Sequence, residues 1–215
     1  MANNYNVNVI DVWHARHDLF NLTVLPLICV YTAYYLCWCT PADSGRDVFT
    51  ACEYYLFTMY LFVDIVWLAL IPNSVASPAT IIGHHTVCLV GWWIPYHQRD
   101  MSCFRLFSSC LIVEVNTWLL IARRTFRNSA VLNTMFYFSW IAIRVFYFPS
   151  VLCRYALEHY EDIVEADTGS VRSVLTKLVL SVMLCLCTLN LKWTYDLFSK
   201  PIRIFVPCAE DRKGL

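Results

Sequence analysis

Long apolar segments separated by short polar stretches form the main pattern along this chain. The first segment runs from Leu19 to Cys39 and has 21 residues without a charged side chain. Because about 20 helical residues cross the hydrocarbon core of a bilayer, such a segment predicts a membrane-spanning helix. The pattern occurs six times, so we predict an all-α, polytopic membrane bundle with spans at 19–39, 49–71, 80–96, 104–122, 131–153 and 174–193.

Polar sequence at each end delimits the predicted domain. We divide the chain into a polar N-terminal segment, a six-helix transmembrane domain and a basic, polar C-terminal tail, at residues 1–18, 19–200 and 201–215. The first segment has no basic stretch followed by a cleavable apolar run, so we expect no conventional signal peptide. Residues 40–45 predict a turn-rich loop, and the acidic stretch 158–167 predicts the one substantial hydrophilic loop.

Composition supports the membrane class and narrows the chemistry. Hydrophobic residues make up 59% of the chain and charged residues 15%, against about 25% charged residues in soluble domains. The formal net charge is +0, so no basic field indicates a nucleic-acid partner. The 11 cysteines lie mostly in apolar segments and lack Cys-x-x-Cys spacing, so we expect no metal site.

The distribution of basic residues predicts an orientation. Six spans place both termini on one side, where we count eight arginines and lysines against six on the other side. By the positive-inside rule this difference favours cytosolic termini. The third span then begins at the cytosolic face, and its polar residues lie about 7 Å inside that face.

Those polar residues are His84 and His85, set in an otherwise apolar run. Adjacent helical positions point about 100° apart, so at least one imidazole must face the interior of the bundle. Imidazole acts as a base, a nucleophile or a metal ligand at neutral pH. A structural pair that forms hydrogen bonds between helices is an equally good interpretation of the residues alone.

Three charged residues also lie inside predicted spans, and isolated charges there are costly. They are Asp64, Glu114 and Arg144. One interpretation is an ion-pair network that fixes helix packing. The other is functional, with a carboxylate that orients a histidine and an arginine that binds an anionic group. By the residues alone, Asn116 and Asn190 favour packing through interhelical hydrogen bonds.

Several short motifs resemble the TLC-domain family, the group that contains ceramide synthases, translocating chain-associated membrane proteins and the protein of a neuronal ceroid lipofuscinosis. The resemblance covers most of the chain from Phe49 onward. Its carriers, in order, are Tyr60–Asp64, Gly83–Thr86, Glu114–Thr117 with Arg123 and Arg124, Phe138–Arg144 with Pro149, and Asn190–Trp193. A longer motif typical of ceramide synthases has no counterpart in residues 96–102, so the chain is more similar to the small TLC-domain-containing proteins.

The resemblance implies a barrel-like six-helix bundle with a central lipid cavity, in the endoplasmic reticulum. It also implies a ceramide synthase-like acyltransferase of sphingolipid or glycerolipid metabolism, with acyl-CoA as cosubstrate, a lipid amine or hydroxyl as acceptor and no bound cofactor. In this scheme the catalytic residues are His84, His85, Asp64 and Glu114. Arg144, Asn116, Asn190 and Trp193 are assigned to substrate binding.

Two other functions are compatible with the same residues. One is a non-catalytic protein that binds lipid or maintains membrane lipid composition; the other is a metalloenzyme in which both histidines are ligands. A homodimer is left open. The sequon Asn21-Leu22-Thr23 would be cytosolic in the predicted orientation, so its glycosylation would contradict that orientation.

Overall fold

A computed structural model describes residues 4–38, 46–75, 77–99, 101–126, 128–164 and 171–199. These residues are almost entirely helical, and they include no strand. The predicted C-terminal tail, the turn-rich loop at 40–45 and the end of the acidic loop lie outside the described residues.

Six long helical units follow one another along the chain. Two of them are interrupted: a 3-10 turn at Leu111–Val113 separates α4 from α5, and a π-helical segment at Ile141–Tyr147 separates α6 from α7. The helices are α1 Asn4–Trp38, α2 Arg46–Leu70, α3 Pro78–Gln98, α4 Met101–Cys110, α5 Glu114–Thr125, α6 Ala130–Trp140, α7 Phe148–Glu158, α8 Tyr160–Val164 and α9 Val171–Ser199.

Five stretches are long and apolar enough to cross a membrane. They are Val12–Trp38, Val48–Leu70, Met101–Thr125, Ala130–Glu158 and Ser173–Ser199. The chain is therefore a multi-pass integral membrane protein. Helix α3 is not among these five, since its histidines lower its mean hydropathy, and the sixth crossing stays a prediction.

The structure differs from the predicted boundaries at two places. Helix α1 begins at Asn4 and passes residue 18 without a break. No proline interrupts it before Pro26, and its first half packs against other helices, so the polar segment continues the helix. The acidic stretch is also more helical than predicted, since α7 continues to Glu158 and α8 follows at Tyr160–Val164.

The π-helical segment has a local cause in Pro149. Proline has no N–H, so it cannot donate the hydrogen bond that would continue a regular turn. Just before it, the N–H of Phe148 reaches back to the carbonyl of Ile143, five residues away. Wider turns of this kind are frequent at functional sites, and this one carries Arg144.

Aromatic side chains fill the half of the bundle around the later part of α3. Trp92 is 1% exposed, and its ring centroid lies 5.2 Å from that of Phe57 and 4.8 Å from that of Phe104. Gly91 allows this close packing, because a Cβ there would lie 2.8 Å from the ring of Phe107 and 2.9 Å from Val182. This half is solidly packed, whereas the other half contains a pocket.

Candidate functional site

A pocket of about 700 Å³ lies at one end of the bundle, where N-terminal parts of some helices meet C-terminal parts of others. Its walls come from the first half of α1, the second half of α2, the first half of α3, the length of α5, α6 with the following π-helical segment, and the end of α9. Successive helical units therefore run in alternating directions and bring their polar positions to one end of the bundle. The volume is within the usual range for small-molecule sites, about 300–1,000 Å³.

Asp64 is the centre of the polar cluster in this pocket. Its Oδ1 lies 2.7 Å from His17 Nε2 and its Oδ2 lies 3.1 Å from His85 Nδ1. The second contact has an ion-pair distance but not the angle of a well-formed hydrogen bond. The side chain of Asp64 is 2% exposed. One buried carboxyl group therefore faces imidazoles from two different helices, α1 and α3.

The cluster extends to a second layer through Asn21. Its Nδ2 lies 3.5 Å from His17 Nδ1 and donates to the His17 carbonyl at 3.0 Å. The Tyr60 hydroxyl donates to Asn21 Oδ1 at 3.0 Å. Hydrogen bonds of this kind fix the orientation of an imidazole. Helices α1 and α2 thus hold His17 beside Asp64.

The two adjacent histidines have different surroundings, as their divergent helical directions require. Their ring centroids lie 5.4 Å apart. His84 contacts Trp193 edge to face at 5.2 Å, and its ring nitrogens lie 3.8 Å from Cys88 Sγ. His85 alone of the pair lies against a carboxylate. Both line the pocket.

Arg144 occupies another wall of the pocket and is 5% exposed. Its Nη1 donates to Asn190 Oδ1, and its Nη2 donates to Thr117 Oγ1 at 3.4 Å. The guanidinium carbon lies 4.5 Å from the ring centroid of Trp140 and 5.6 Å from that of Trp193. The Nε is buried without a hydrogen-bond partner.

Glu114 begins α5 directly after the 3-10 turn and lines the pocket. It is 6% exposed, and its charge lies close enough to interact with His85 and Arg144. Asn116 lies two residues further on, outside the pocket lining, where it donates to Ser139 Oγ at 2.8 Å. The two positions therefore face different surroundings.

Basic residues of α5 form the rim of the pocket. Arg123 lies over the ring of Phe136, with 4.1 Å from its guanidinium carbon to the ring centroid. Arg124 Nη2 donates to Asp18 Oδ1 at 2.8 Å and so connects the rim to α1. The rim is polar and half-exposed, whereas the pocket interior holds buried charges.

Most of the predicted site residues meet at this pocket. The residues that line it are His84, His85, Asp64, Glu114, Arg144 and Trp193. Asn190 supports the site indirectly by accepting a hydrogen bond from Arg144. Among the described residues, no group of three or more histidine, cysteine, aspartate or glutamate side chains is arranged to hold a metal ion.

Sequence analysis missed the contribution of α1. His17 lies in the segment assigned outside the membrane, and Asn21 attracted notice only as a sequon. Their spacing of four residues places them on one helix face. A predicted helix that began before residue 17 would have included this face. Both residues are buried, at 6% and 2% exposure.

Comparison with protein-family models decides the relationship. Residues 17–199 match the model of the TLC domain. This chain belongs to the TLC-domain family. The match begins at His17 and includes the whole pocket lining. The TLC-domain family is associated with lipid metabolism or membrane lipid handling. No curated protein sequence and no solved structure matches the chain significantly.

Proposed function

We propose that this TLC-domain protein is a membrane acyltransferase that moves a fatty acyl group from acyl-CoA to an amine or hydroxyl of a lipid. The observation that carries the proposal is the contact between His85 and Asp64 inside a pocket at one end of the bundle. A buried carboxylate beside an imidazole is the usual arrangement of a general base and the group that orients it.

His85 is the proposed base. In the proposed tautomer, the Nδ1 of His85 carries the proton toward the carboxylate of Asp64, which can only accept a hydrogen bond, and Nε2 is the basic atom. Nε2 removes the proton of the acceptor amine or hydroxyl as that group attacks the thioester carbonyl. The carbon–sulfur bond then breaks and the proton passes to the sulfur, which gives the acylated lipid and free CoA thiol.

His84 has the proposed role of stabilising the oxyanion. Its edge-to-face contact with Trp193 holds the ring, and no carboxylate of the described residues forms an ion pair with it, so a ring N–H can donate to a developing negative charge. Such donors lower the barrier of acyl transfer by about 3–4 kcal/mol. An acyl-imidazole on either histidine is the covalent variant of the same reaction.

The surroundings support this chemistry. Phe136, Trp140 and Trp193 line the pocket beside the polar cluster, and such apolar walls limit the access of water to the thioester. The basic rim at Arg123 and Arg124 is an attractive entrance for the anionic CoA. We place this rim and both termini on the cytosolic face of the endoplasmic reticulum membrane, where acyl-CoA is available.

The test is quantitative lipidomics in cells that lack endogenous relatives. Cells express wild type, a His84→Ala/His85→Ala double variant, or His97→Ala at equal protein level. His97 is the matched control, since it lies at the other end of α3 against Trp93, outside the pocket. We expect one acylated lipid class to rise with wild type and His97→Ala and to stay at background with the double variant.

Equal lipid shifts with wild type and the double variant would overturn the acyltransferase. In that case the pocket binds lipid without chemistry, which is the second function open to the family. A complete absence of shifts in all three cell lines would likewise contradict catalysis, provided that purified wild type also fails to consume acyl-CoA in lipid nanodiscs.

A further inference from the structure

The guanidinium of Arg144 is a buried cation whose hydrogen-bond partners are neutral. Asn190 and Thr117 supply only carbonyl and hydroxyl oxygens. No carboxylate of the described residues lies within 4.0 Å of it. Removing a charge from water costs several kcal/mol unless an opposite charge compensates. Arg144 thus lines a pocket of about 700 Å³ without a direct ion pair, although the charge of Glu114 is near enough to interact with it.

The unused donor of Arg144 is a second observation that points to a ligand. A guanidinium has five N–H donors in a planar fork. Nη1 and Nη2 each donate one of their two N–H groups to a partner, so one N–H remains on each, and the buried Nε has no partner. A planar fork with unused donors is suited to bidentate binding of a phosphate or carboxylate. The flanking rings of Trp140 and Trp193 hold the fork in place.

Trp193 connects this cation to the histidines. The centroid of its ring lies 5.2 Å from that of His84 and 5.6 Å from the guanidinium carbon of Arg144. A group bound at Arg144 therefore lies beside an indole ring that also contacts one of the imidazoles. A lipid headgroup has the size to place an anion at Arg144 and a nucleophile beside His85.

The remaining charges that face the pocket restrict the anion. Of the buried carboxylates, Glu114 lies near Arg144 and Asp64 lies next to His85, whereas Asp196, Arg123 and Arg124 line the half-exposed part of the pocket. Two carboxylates oppose a group with several negative charges. The single charge of a phosphodiester fits one buried arginine beside these carboxylates better than the multiple charges of a phosphate monoester.

We infer that Arg144 binds the phosphodiester of the acceptor lipid, so that the acceptor is a phospholipid rather than an uncharged glyceride or a free sphingoid base. The assignment of this lipid as the acyl acceptor rests on the proposed acyltransferase function. The anion site itself can be tested without turnover. Because CoA also carries phosphates, the same chemistry has two sources, and the experiment must distinguish them.

The experiment measures equilibrium binding to the purified full-length protein in detergent. The probes are a fluorescent lysophospholipid with a phosphodiester headgroup, a monoacylglycerol and sphingosine with similar chains, and free CoA as competitor. The proteins are wild type, Arg144→Gln, Arg144→Lys and the control Arg154→Gln, an exposed arginine of α7 outside the pocket lining. All are also prepared with His84→Ala/His85→Ala, which removes chemistry.

We expect wild type to bind the lysophospholipid about tenfold more tightly than either other lipid, the value of one charged hydrogen-bonded contact. Arg144→Gln abolishes this preference, Arg144→Lys retains part of it, and Arg154→Gln retains all of it. The comparison of the three lipids is made on the wild-type protein, so this part of the test does not depend on whether a variant folds. Equal affinity for the three lipids, or a preference that survives Arg144→Gln, would overturn the inference.

The competitor separates the two sources of phosphate. Displacement of the lysophospholipid by equimolar CoA in an Arg144-dependent manner would assign the site to CoA and overturn the acceptor assignment. A phosphodiester preference in protein that never transfers an acyl group would leave the anion site standing and overturn the proposed function. Acyl transfer to sphingosine that is unaffected by Arg144→Gln would leave the proposed acyltransferase standing and overturn the inference about Arg144.

Discussion

His17 Nε2 lies 2.7 Å from Asp64 Oδ1, which joins the first half of α1 to the end of α2 at the centre of the pocket. The other carboxylate oxygen faces His85 Nδ1 at 3.1 Å. Both oxygens of Asp64 are therefore engaged, and the carboxylate cannot rotate toward one imidazole without leaving the other. In the proposed reaction His17 is a positioning residue, because it acts on His85 through Asp64.

Replacing Asp64 by asparagine tests the orienting carboxylate. The amide keeps the shape of the side chain but presents an N–H to one of the two imidazoles, which favours the wrong tautomer. We expect acyl transfer to fall about 100-fold or more while the protein remains folded. The measurement is single-turnover acyl transfer in nanodiscs.

The matched control is Glu158→Gln, which removes an exposed carboxylate at the end of α7. It should leave both the rate and the thermal unfolding midpoint unchanged. An Asp64→Asn protein with the full rate would show that Asp64 serves helix packing alone.

His17→Ala should have a smaller effect on rate than Asp64→Asn, because Asp64 loses only one of its two partners and keeps its contact with His85. We expect a reduction of less than about tenfold and a loss of about 1–3 kcal/mol in the free energy of unfolding, since a buried carboxylate oxygen is left unsatisfied. His17→Gln retains a donor and should recover part of both losses.

His14→Ala is the control for His17, on the same helix and half-buried. Rates as a function of pH distinguish positioning from chemistry. A positioning residue changes the position of the pH profile and is partly rescued by glutamine. A loss as complete as that of His85→Ala, without rescue by glutamine, would make His17 the base instead.

The apolar pattern predicted most of the fold and the polar exceptions predicted most of the site. Asp64, Glu114 and Arg144 were recognisable because charge is rare inside spans. Their partners were not, since contacts between helices depend on rotation and tilt, which hydropathy does not encode. This is why Glu114 lines the pocket while Asn116, two residues away, bonds to Ser139.

The beginning of α1 escaped prediction for a different reason. Hydropathy detects where apolar residues begin, but a helix continues into polar sequence when its polar face is packed. His17 and Asn21 are such a face, buried against Asp64 and Tyr60. The family match starts at residue 17 and therefore includes His17, which hydropathy assigned to a terminal segment.

Two glycines of α3 should respond to alanine in opposite ways. At Gly91 a Cβ would lie 2.8 Å from the ring of buried Phe107 and 2.9 Å from Val182, so we expect a loss of about 1–3 kcal/mol. At Gly83 a Cβ would meet nothing within 4 Å, so Gly83→Ala should gain about 0.5–1 kcal/mol from helix propensity. Unfolding in mild detergent, monitored by tryptophan fluorescence, measures both. A destabilised Gly83→Ala would contradict this packing of α3.

The orientation of the bundle can be tested through glycosylation. The side chain of Asn21 is 2% exposed and donates to the His17 carbonyl, so we expect its sequon to remain unmodified. An acceptor sequon inserted between α8 and α9 should be glycosylated, because six alternating spans place that connection in the lumen when the termini are cytosolic. An acceptor at the C-terminus should not be modified. A change in electrophoretic mobility after endoglycosidase treatment reports glycosylation at each of the three positions. Glycosylation at the C-terminus and none between α8 and α9 would place the rim at Arg123 and Arg124 on the lumenal side, away from acyl-CoA.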